Sequence, residues 1–384
     1  MNSARVLVVL DASSAWSRGI LRGFAGVAHE RGWTVLHYHP TANLEWLLAE
    51  WKPDIAVLPP GYYGELPSTL PKTSTISVNC DRTRDGIASV CVDETKVARL
   101  ALAHLMEKGI TRVTSFRFSS DDFAVAREQA FYEAAAEFGA EVIQGWWLDG
   151  AEPSRTLENG AALTDWLRGL PKPCGIFASC DAWSRVVARY CRVAELRIPD
   201  ELALIGVDND TIECELASPP LSSIAIPWRT LGQEAAELTQ RALAGLPISG
   251  KLVVISPIDA VPRRSTDVLA ITDPLVAKTV TWICENADRR LTVPAVSRAV
   301  GSSRQRLERR FRAVLGRTVM QEIRRAHIET AKRLLSNTSL DLPKIAKLSG
   351  FTSQVLLSVA FRREVGVPPG AYRRRFQGVE LDDE

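Results

Sequence analysis

The sequence predicts a two-lobed α/β region built on parallel sheets, followed by an all-α domain holding two helix-turn-helix motifs. Three observations carry that prediction. Short apolar runs of strand type alternate with helical stretches from residue 4 to about 256. From Thr292 to Arg375 the chain echoes itself, as two helical pairs in series. Charge divides along the same line. Residues 263–378 hold 23 Lys and Arg against nine Asp and Glu, whereas residues 1–262 hold 24 against 32. A net charge of +2 over 384 residues therefore hides a basic end on an acidic body, the electrostatic footprint of a nucleic-acid partner.

In chain order, residues 4–10 read as a buried strand, with Asp11 and a Ser-Ser loop leading into a helix from Trp16 to Arg31. Strands follow at 34–38, 54–58, 75–78 and 88–92. Asp93 caps a helix that Gly109 closes. A second alternation takes strands at 112–118, 141–147, 175–179, 202–207, 222–226 and 252–256, with helices between them. Some 260 residues are long for one such sheet. Two lobes divided near Val92 fit better, with an effector domain ending at residue 262, a linker over 263–274, a helical domain over 275–378 and an acidic tail over 379–384.

Ligands in open parallel sheets bind beyond the carboxyl ends of the strands. The residues there are Asp11, Trp16 and Arg18 after the first strand, Arg127 in a later helix, Asp181 and Trp183 after the strand 175–179, and Asp208-Asn209 after 202–207. Carboxylate, amide and guanidinium groups match a sugar's hydroxyls, and an aromatic ring matches its apolar face. Asp181 also suits a plain helix cap, and the two Trp suit the core. No helix is evident at Asp208-Asn209, which favours a ligand role there. The same residues admit a sugar-binding transport component or a glycosidase with Asp181 and Asp208 as its acid pair. No nucleophile elbow, phosphate loop or dinucleotide fingerprint appears, and His37-x-His39 has no completing metal ligand. No enzyme, metal site or cofactor is expected. Seven scattered cysteines without a Cys-x-x-Cys pair, no signal peptide and no apolar run near the roughly 18 residues that span a bilayer predict a cytoplasmic protein with no membrane contact.

In the basic end, Pro294, Val296, Ser297 and Gly301 recur 49 residues later as Pro343, Ile345, Ala346 and Gly350. Ser303, Leu307, Phe311 and Gly316 recur 50 residues later as Ser353, Leu357, Phe361 and Gly366, so the second turn has one extra residue. A small residue lets the helices approach, a glycine suits the turn, and an apolar pair pins the second helix. The second helix of such a motif enters the major groove. Candidate DNA contacts are Ser303, Arg304, Gln305, Arg306, Arg309 and Arg310 in the first unit, and Thr352, Ser353, Gln354 and Arg362 in the second. The long helix between the units carries Arg324, Arg325, Lys332 and Arg333, expected near phosphates.

Gly350-Phe351-Thr352-Ser353, Phe361, Gly366, Pro368-Pro369 and Tyr372-Arg373 resemble the DNA-binding domain of the AraC family of transcription regulators. Leu356-Leu357 and Val359 depart from that family's usual Tyr-Phe and Arg, which leaves the second reading helix poor in charge. Val90 to Asp93, Phe177 to Asp181 and Ile205 to Asn209 resemble the sugar-binding core of LacI-type repressors, a fold shared with periplasmic binding proteins. The combination is similar to the xylose-operon type of bacterial regulator. That resemblance implies a pentose effector such as D-xylose and ligand-controlled activation of pentose-catabolic genes. The expected partners are double-stranded DNA, a second protomer in a homodimer, and RNA polymerase if the protein activates. Repression and a different monosaccharide stay open.

Overall fold

The computed structural model describes residues 3–40, 43–59, 72–81, 83–118, 122–148, 160–267 and 273–377. The first lobe is a parallel sheet of β1 (Arg5–Val9), β2 (Thr34–Tyr38), β3 (Ile55–Leu58), β4 (Thr75–Val78), β5 (Ala88–Val92) and, far along the chain, β12 (Leu252–Ile255). Its order is β12-β5-β4-β3-β1-β2. The second lobe holds β6 (Arg112–Phe118), β7 (Glu141–Val142), β8 (Trp146–Leu148), β9 (Cys174–Ala178), β10 (Leu202–Asp208), β11 (Ser222–Ala225) and β13 (Asp259–Val261). Its order is β13-β11-β10-β9-β6-β7, with β8 also on β6 and only β13 antiparallel. Val, Ile and Leu fill the central strands on both faces, as helix-covered parallel sheets require.

Helices α1 (Ala15–Glu30) and α2 (Leu44–Trp51) cover the first sheet, joined by α8 (Trp228–Leu243), which packs along α1. The second sheet takes α3 (Glu94–Glu107), α4 (Asp122–Phe138), α5 (Gly160–Gly169), α6 (Asp181–Val193) and α7 (Thr211–Leu216). The expected division near Val92 is therefore one crossing of three. The chain leaves the first lobe after β5, returns between β11 and α8, and leaves again between β12 and β13. The crossings are tied together: Asp93 N donates to Ile255 O, Lys96 Nζ to Ser256 Oγ, and Ile258 N to Ala225 O, all within 2.8–2.9 Å.

Two further expectations change. The strand expected over 141–147 is broken into β7 and β8. Asp208-Asn209 does precede a helix: Asp210 caps α7 by accepting from Ile212 N and Glu213 N. With only six residues, α7 offers too little apolar period to be read from sequence.

The segment expected to begin the linker is part of the second lobe. Arg263, Ser265 and Thr266 are buried, and a 3-10 turn (Arg264–Thr266) is bonded through Ser265 Oγ to Leu204 O and through Ser222 Oγ to Thr266. Its polar composition reads as a linker, but its hydroxyls are spent inside the lobe: Ser265 Oγ on backbone groups of Leu204 and Ser222, and Thr266 Oγ1 on Ser222 Oγ and His104 Nε2. Residues 268–272 and the acidic tail 379–384 lie outside the described residues.

The helical domain holds α9 (Pro274–Glu285), α10 (Val293–Val300), α11 (Arg304–Leu315), α12 (Val319–Asn337), α13 (Leu342–Leu348), α14 (Gln354–Val365) and α15 (Pro369–Gln377). Two small cores form at the two ends of α12, one on Leu307 and Phe311, the other on Leu357, Phe361 and Tyr372. The turn glycines Gly301 and Gly350 have φ near +70°, where an L side chain is strained. The extra residue of the second turn lies between the end of α13 and Ser353.

Candidate effector site and DNA-binding helices

β10 ends on two non-glycine residues with positive φ, Asp208 at 108° and Asn209 at 54°. Such backbone costs about 1–3 kcal/mol per residue and persists only where its surroundings impose it. Here Ser223 Oγ accepts from Asn209 N, and Asp181 Oδ2 accepts from Asp210 N, both within 2.9 Å. Asp181 opens α6 yet is 1% exposed, so it is more than a helix cap. Its carboxyl packs over Gly206, where an added Cβ would meet Asp181 Oδ1 at 2.3 Å. Burial pushes that carboxyl up to about 7, against hydrogen bonds from Ser223 and Asp210 N. Burial, then the neighbouring Asp181 charge, hold Asp208 well above the usual carboxylate range, with Arg127 opposing.

Arg127, also 1% exposed, comes from α4 and spans the point between β6 and β9 where the strand order reverses. It donates to both Glu94 carboxylate oxygens at 2.6 and 2.8 Å and to Ser179 O at 2.5 Å. Its guanidinium lies 5.5 Å from the half-buried Phe123 ring. On the far side of Asn209, the Arg263 guanidinium donates to Asn209 Oδ1 at 2.7 Å. Asp181 and Asn209 thus belong to one hydrogen-bonded group, and the charge of Asp208 couples it to Arg127. Glu94, Arg263, Ser223 and Phe123 stand beside these residues and escaped the sequence reading. Glu94 reads as an ordinary acid in a helix's first turn, and Arg263 as part of a basic linker.

In the first lobe, Asp11 follows β1 at the other reversal of strand order, between β1 and β3. It accepts from Ser13 N and Ser13 Oγ, and its Oδ1 lies 3.4 Å from His39 Nε2. Arg18 closes the same turn, donating to Ala12 O and Ser13 O. Trp16 packs against Trp228 with ring centroids 5.9 Å apart, and Trp183 lies against the second-lobe core. Both rings are partly buried. His37 Nε2 lies 2.9 Å from Leu10 O, and among the described residues no group of three or more His, Cys, Asp or Glu could hold a metal ion. A cavity of about 490 Å³ lies away from the strand ends, along α4 beside Val125, Gln129 and Tyr132.

In the helical domain, Ser303 and Ser353 cap α11 and α14 by accepting from Arg306 N and Leu356 N. Arg304, Gln305, Arg306 and Arg309 are exposed on α11, and Thr352, Gln354 and Arg362 at α14. Arg310 departs from expectation. Its Nη1 donates to Asp273 at 2.8 and 3.1 Å, which ties α11 to the cap of α9. The i,i+1 neighbour of Arg309 on a helix points about 100° away, here toward α9.

Helix α12 also differs. Lys332 faces Asp259 of β13 at 3.2 Å, and Arg325 pairs with Glu322, which is 0% exposed. Arg324 lies 3.9 Å from Glu364. Of the four cations expected near phosphates, Arg333 is exposed. Lys332 is turned because α12 docks on the second lobe, whereas Arg325 is held by Glu322 of its own helix and Arg324 lies toward Glu364 of α14. Tyr372 Oη lies 3.4 Å from Asp259 Oδ2, and Arg263 Nη2 lies 3.4 Å from Asn337 Oδ1 at the end of α12.

A periplasmic-binding-protein-like domain model matches residues 102–266, and a helix-turn-helix domain model, of AraC type, matches residues 296–375. The xylose operon regulatory protein of Escherichia coli K12 is 32% identical over 289 residues, 74% of this chain and 73% of that protein. The chain belongs to the xylose operon regulatory protein family. The family member of Haemophilus influenzae is 29% identical over 289 residues. A solved structure of a xylose-binding transcription activator superposes with a TM-score of 0.59 at 25% identity, covering 97% of this chain and 98% of that one. The protein is therefore a DNA-binding transcription regulator and not an enzyme. The family's architecture accounts for both halves: a two-lobed parallel-sheet body and an AraC-type end. No helix among the described residues is long and apolar enough to cross a membrane.

Proposed function

We propose that the chain is a cytoplasmic, homodimeric activator of pentose-catabolic genes whose effector is D-xylose. The sugar sits between the lobes. Asp208, Asn209 and Arg127 take its hydroxyls from one side, Asp11 and Arg18 from the other, and Phe123 or Trp16 lies against its apolar face. Asp181 positions the 208–210 loop. Arg304, Gln305, Arg306 and Arg309 read bases, and Thr352, Ser353, Gln354 and Arg362 hold the second half-site.

One observation carries the effector half of this reading: a buried charged network at the carboxyl ends of the strands, hydrogen-bonded to a helix of the DNA-binding domain. Two guanidinium groups stand beside carboxyls of which Asp181 and Asp208 are held toward neutrality. Such a site suits an uncharged polyol, whose hydroxyls both donate and accept, better than a cation or an anion. Relatives named for the xylose operon and a neighbour described as xylose-binding supply the choice of pentose and of activation.

The test is binding of the full chain to DNA upstream of neighbouring sugar genes, at fixed salt, with and without D-xylose. Tryptophan fluorescence against a panel of pentoses and hexoses runs beside it. Xylose-strengthened or repositioned binding is expected. Specific DNA binding that no sugar alters would discard the effector assignment, and repression in a reporter assay would reverse the sign.

A further inference from the structure

The two reading helices share one scaffold and differ in what they present. Both are capped by serine, pinned by a fully buried Leu and Phe, and ended by a positive-φ glycine. At an offset of 50, the exposed Arg304, Gln305, Arg306 and Arg309 of α11 become Gln354, Val355, Leu356 and Val359 of α14. Val355 is 69% exposed, Leu356 54% and Val359 65%. These three are not core residues, because Leu357 and Phe361 fill that role from the opposite face. They stand where the first helix carries its hydrogen-bond donors.

An aliphatic side chain cannot bond a guanine or adenine edge. The base feature it can recognise in the major groove is the thymine C5-methyl group. Arg362, three residues after Val359, is exposed on the same helix, and the neighbouring α13 and α15 carry the exposed cations Lys344, Lys347, Arg374 and Arg375, as a polyanionic partner demands. We propose that α14 reads its half of the operator by apolar contact of Val355, Leu356 and Val359 with thymine methyl groups, while α11 reads its half by hydrogen bonds. The proposal rests on the DNA-binding reading above.

The experiment selects duplexes from a random pool with the full chain. The half whose preference changes in Arg309→Ala belongs to α11, and the other half to α14. Thymines in the α14 half are then replaced by deoxyuracil, which lacks only the methyl. The expected result is thymine enrichment in that half and an affinity loss of about fourfold per contacted methyl. The double variant Val355→Ser/Val359→Ser should lose affinity for the thymine duplex and little for the uracil duplex, so the two penalties do not add. Both positions are exposed, and a thermal melt checks that the fold is kept. Equal affinity for the two duplexes would overturn the proposal and leave the patch to a protein partner. An equal loss by the variant on both duplexes would also overturn it, in favour of sugar-phosphate packing. Recovery of no specific duplex would sink the DNA-binding reading itself.

Discussion

Asp181 is picked out by sequence for its place after a strand, yet the fold gives it a burial that the sequence does not show. Its position after a strand marks it as notable, but only the fold reveals that Gly206 leaves space for its carboxyl beneath the loop. Unfolded, that carboxyl titrates near 3.8; folded, at about 7. The folded chain therefore keeps an extra proton between those values. The stability this contributes is complete below pH 3.8 and is lost as pH rises through 7. Asp181→Asn keeps an acceptor for Asp210 N and removes the titration. Urea unfolding should show the variant more stable than the parent by on the order of 4 kcal/mol at pH 8, and matched near pH 4. A gap independent of pH would mean the carboxyl stays charged in the fold. Arg127 makes a complementary case. Arg127→Met strands the Glu94 carboxylate and should cost about 3–5 kcal/mol. Glu94→Gln/Arg127→Met should recover part of that loss, and no recovery would mean Glu94 is not the group that Arg127 neutralises.

At the scale of elements, the sequence separates what periodicity encodes from what it does not. The tandem helical pairs were legible because each repeats a glycine turn and a Leu-Phe pin. The long strands were legible as apolar runs. Helix α7 and strand β13 were not, since six and three residues carry too little period. Nor does a helical wheel say which cation meets a neighbouring helix. Arg309 and Arg310 are adjacent and alike in sequence, yet Arg310 is held by Asp273. Arg309→Ala should weaken specific DNA binding by roughly 5- to 150-fold and relax base preference, as expected for loss of a base-reading arginine. Arg310→Ala should instead cost less stability than Asp273→Ala, which also removes the cap of α9, with the double variant no worse than Asp273→Ala, and leave base preference intact. Competition binding with mutated operators distinguishes the two, and relaxed preference in Arg310→Ala would return that residue to the reading face.

Across the whole molecule, the 208–210 loop and the DNA-binding domain share one arginine. Arg263 donates to Asn209 in the loop, to Leu221 O just before β11, and lies within 3.4 Å of Asn337 at the end of α12. Asp259, the first residue of β13 after the third crossing, meets Lys332 of α12 and Tyr372 of α15. A sugar that draws on Asn209 or shifts the crossings therefore acts on groups that also hold the helix joining the two reading units. A ligand moves such an equilibrium only through its different affinity for the two arrangements, and the resulting coupling is reciprocal. Couplings of this kind amount to about 5- to 150-fold. Asn337→Ala leaves the Arg263–Asn209 bond and the α11 surface untouched. Sugar affinity without DNA, and DNA affinity without sugar, should each stay within about twofold of the parent. The factor by which xylose changes DNA affinity should shrink several-fold, and the factor by which DNA changes xylose affinity should shrink equally. Titrations in both orders measure the two factors independently. If both stay at the parental value, Arg263 is a structural tie only, and the signal must cross through Asp259 or between protomers.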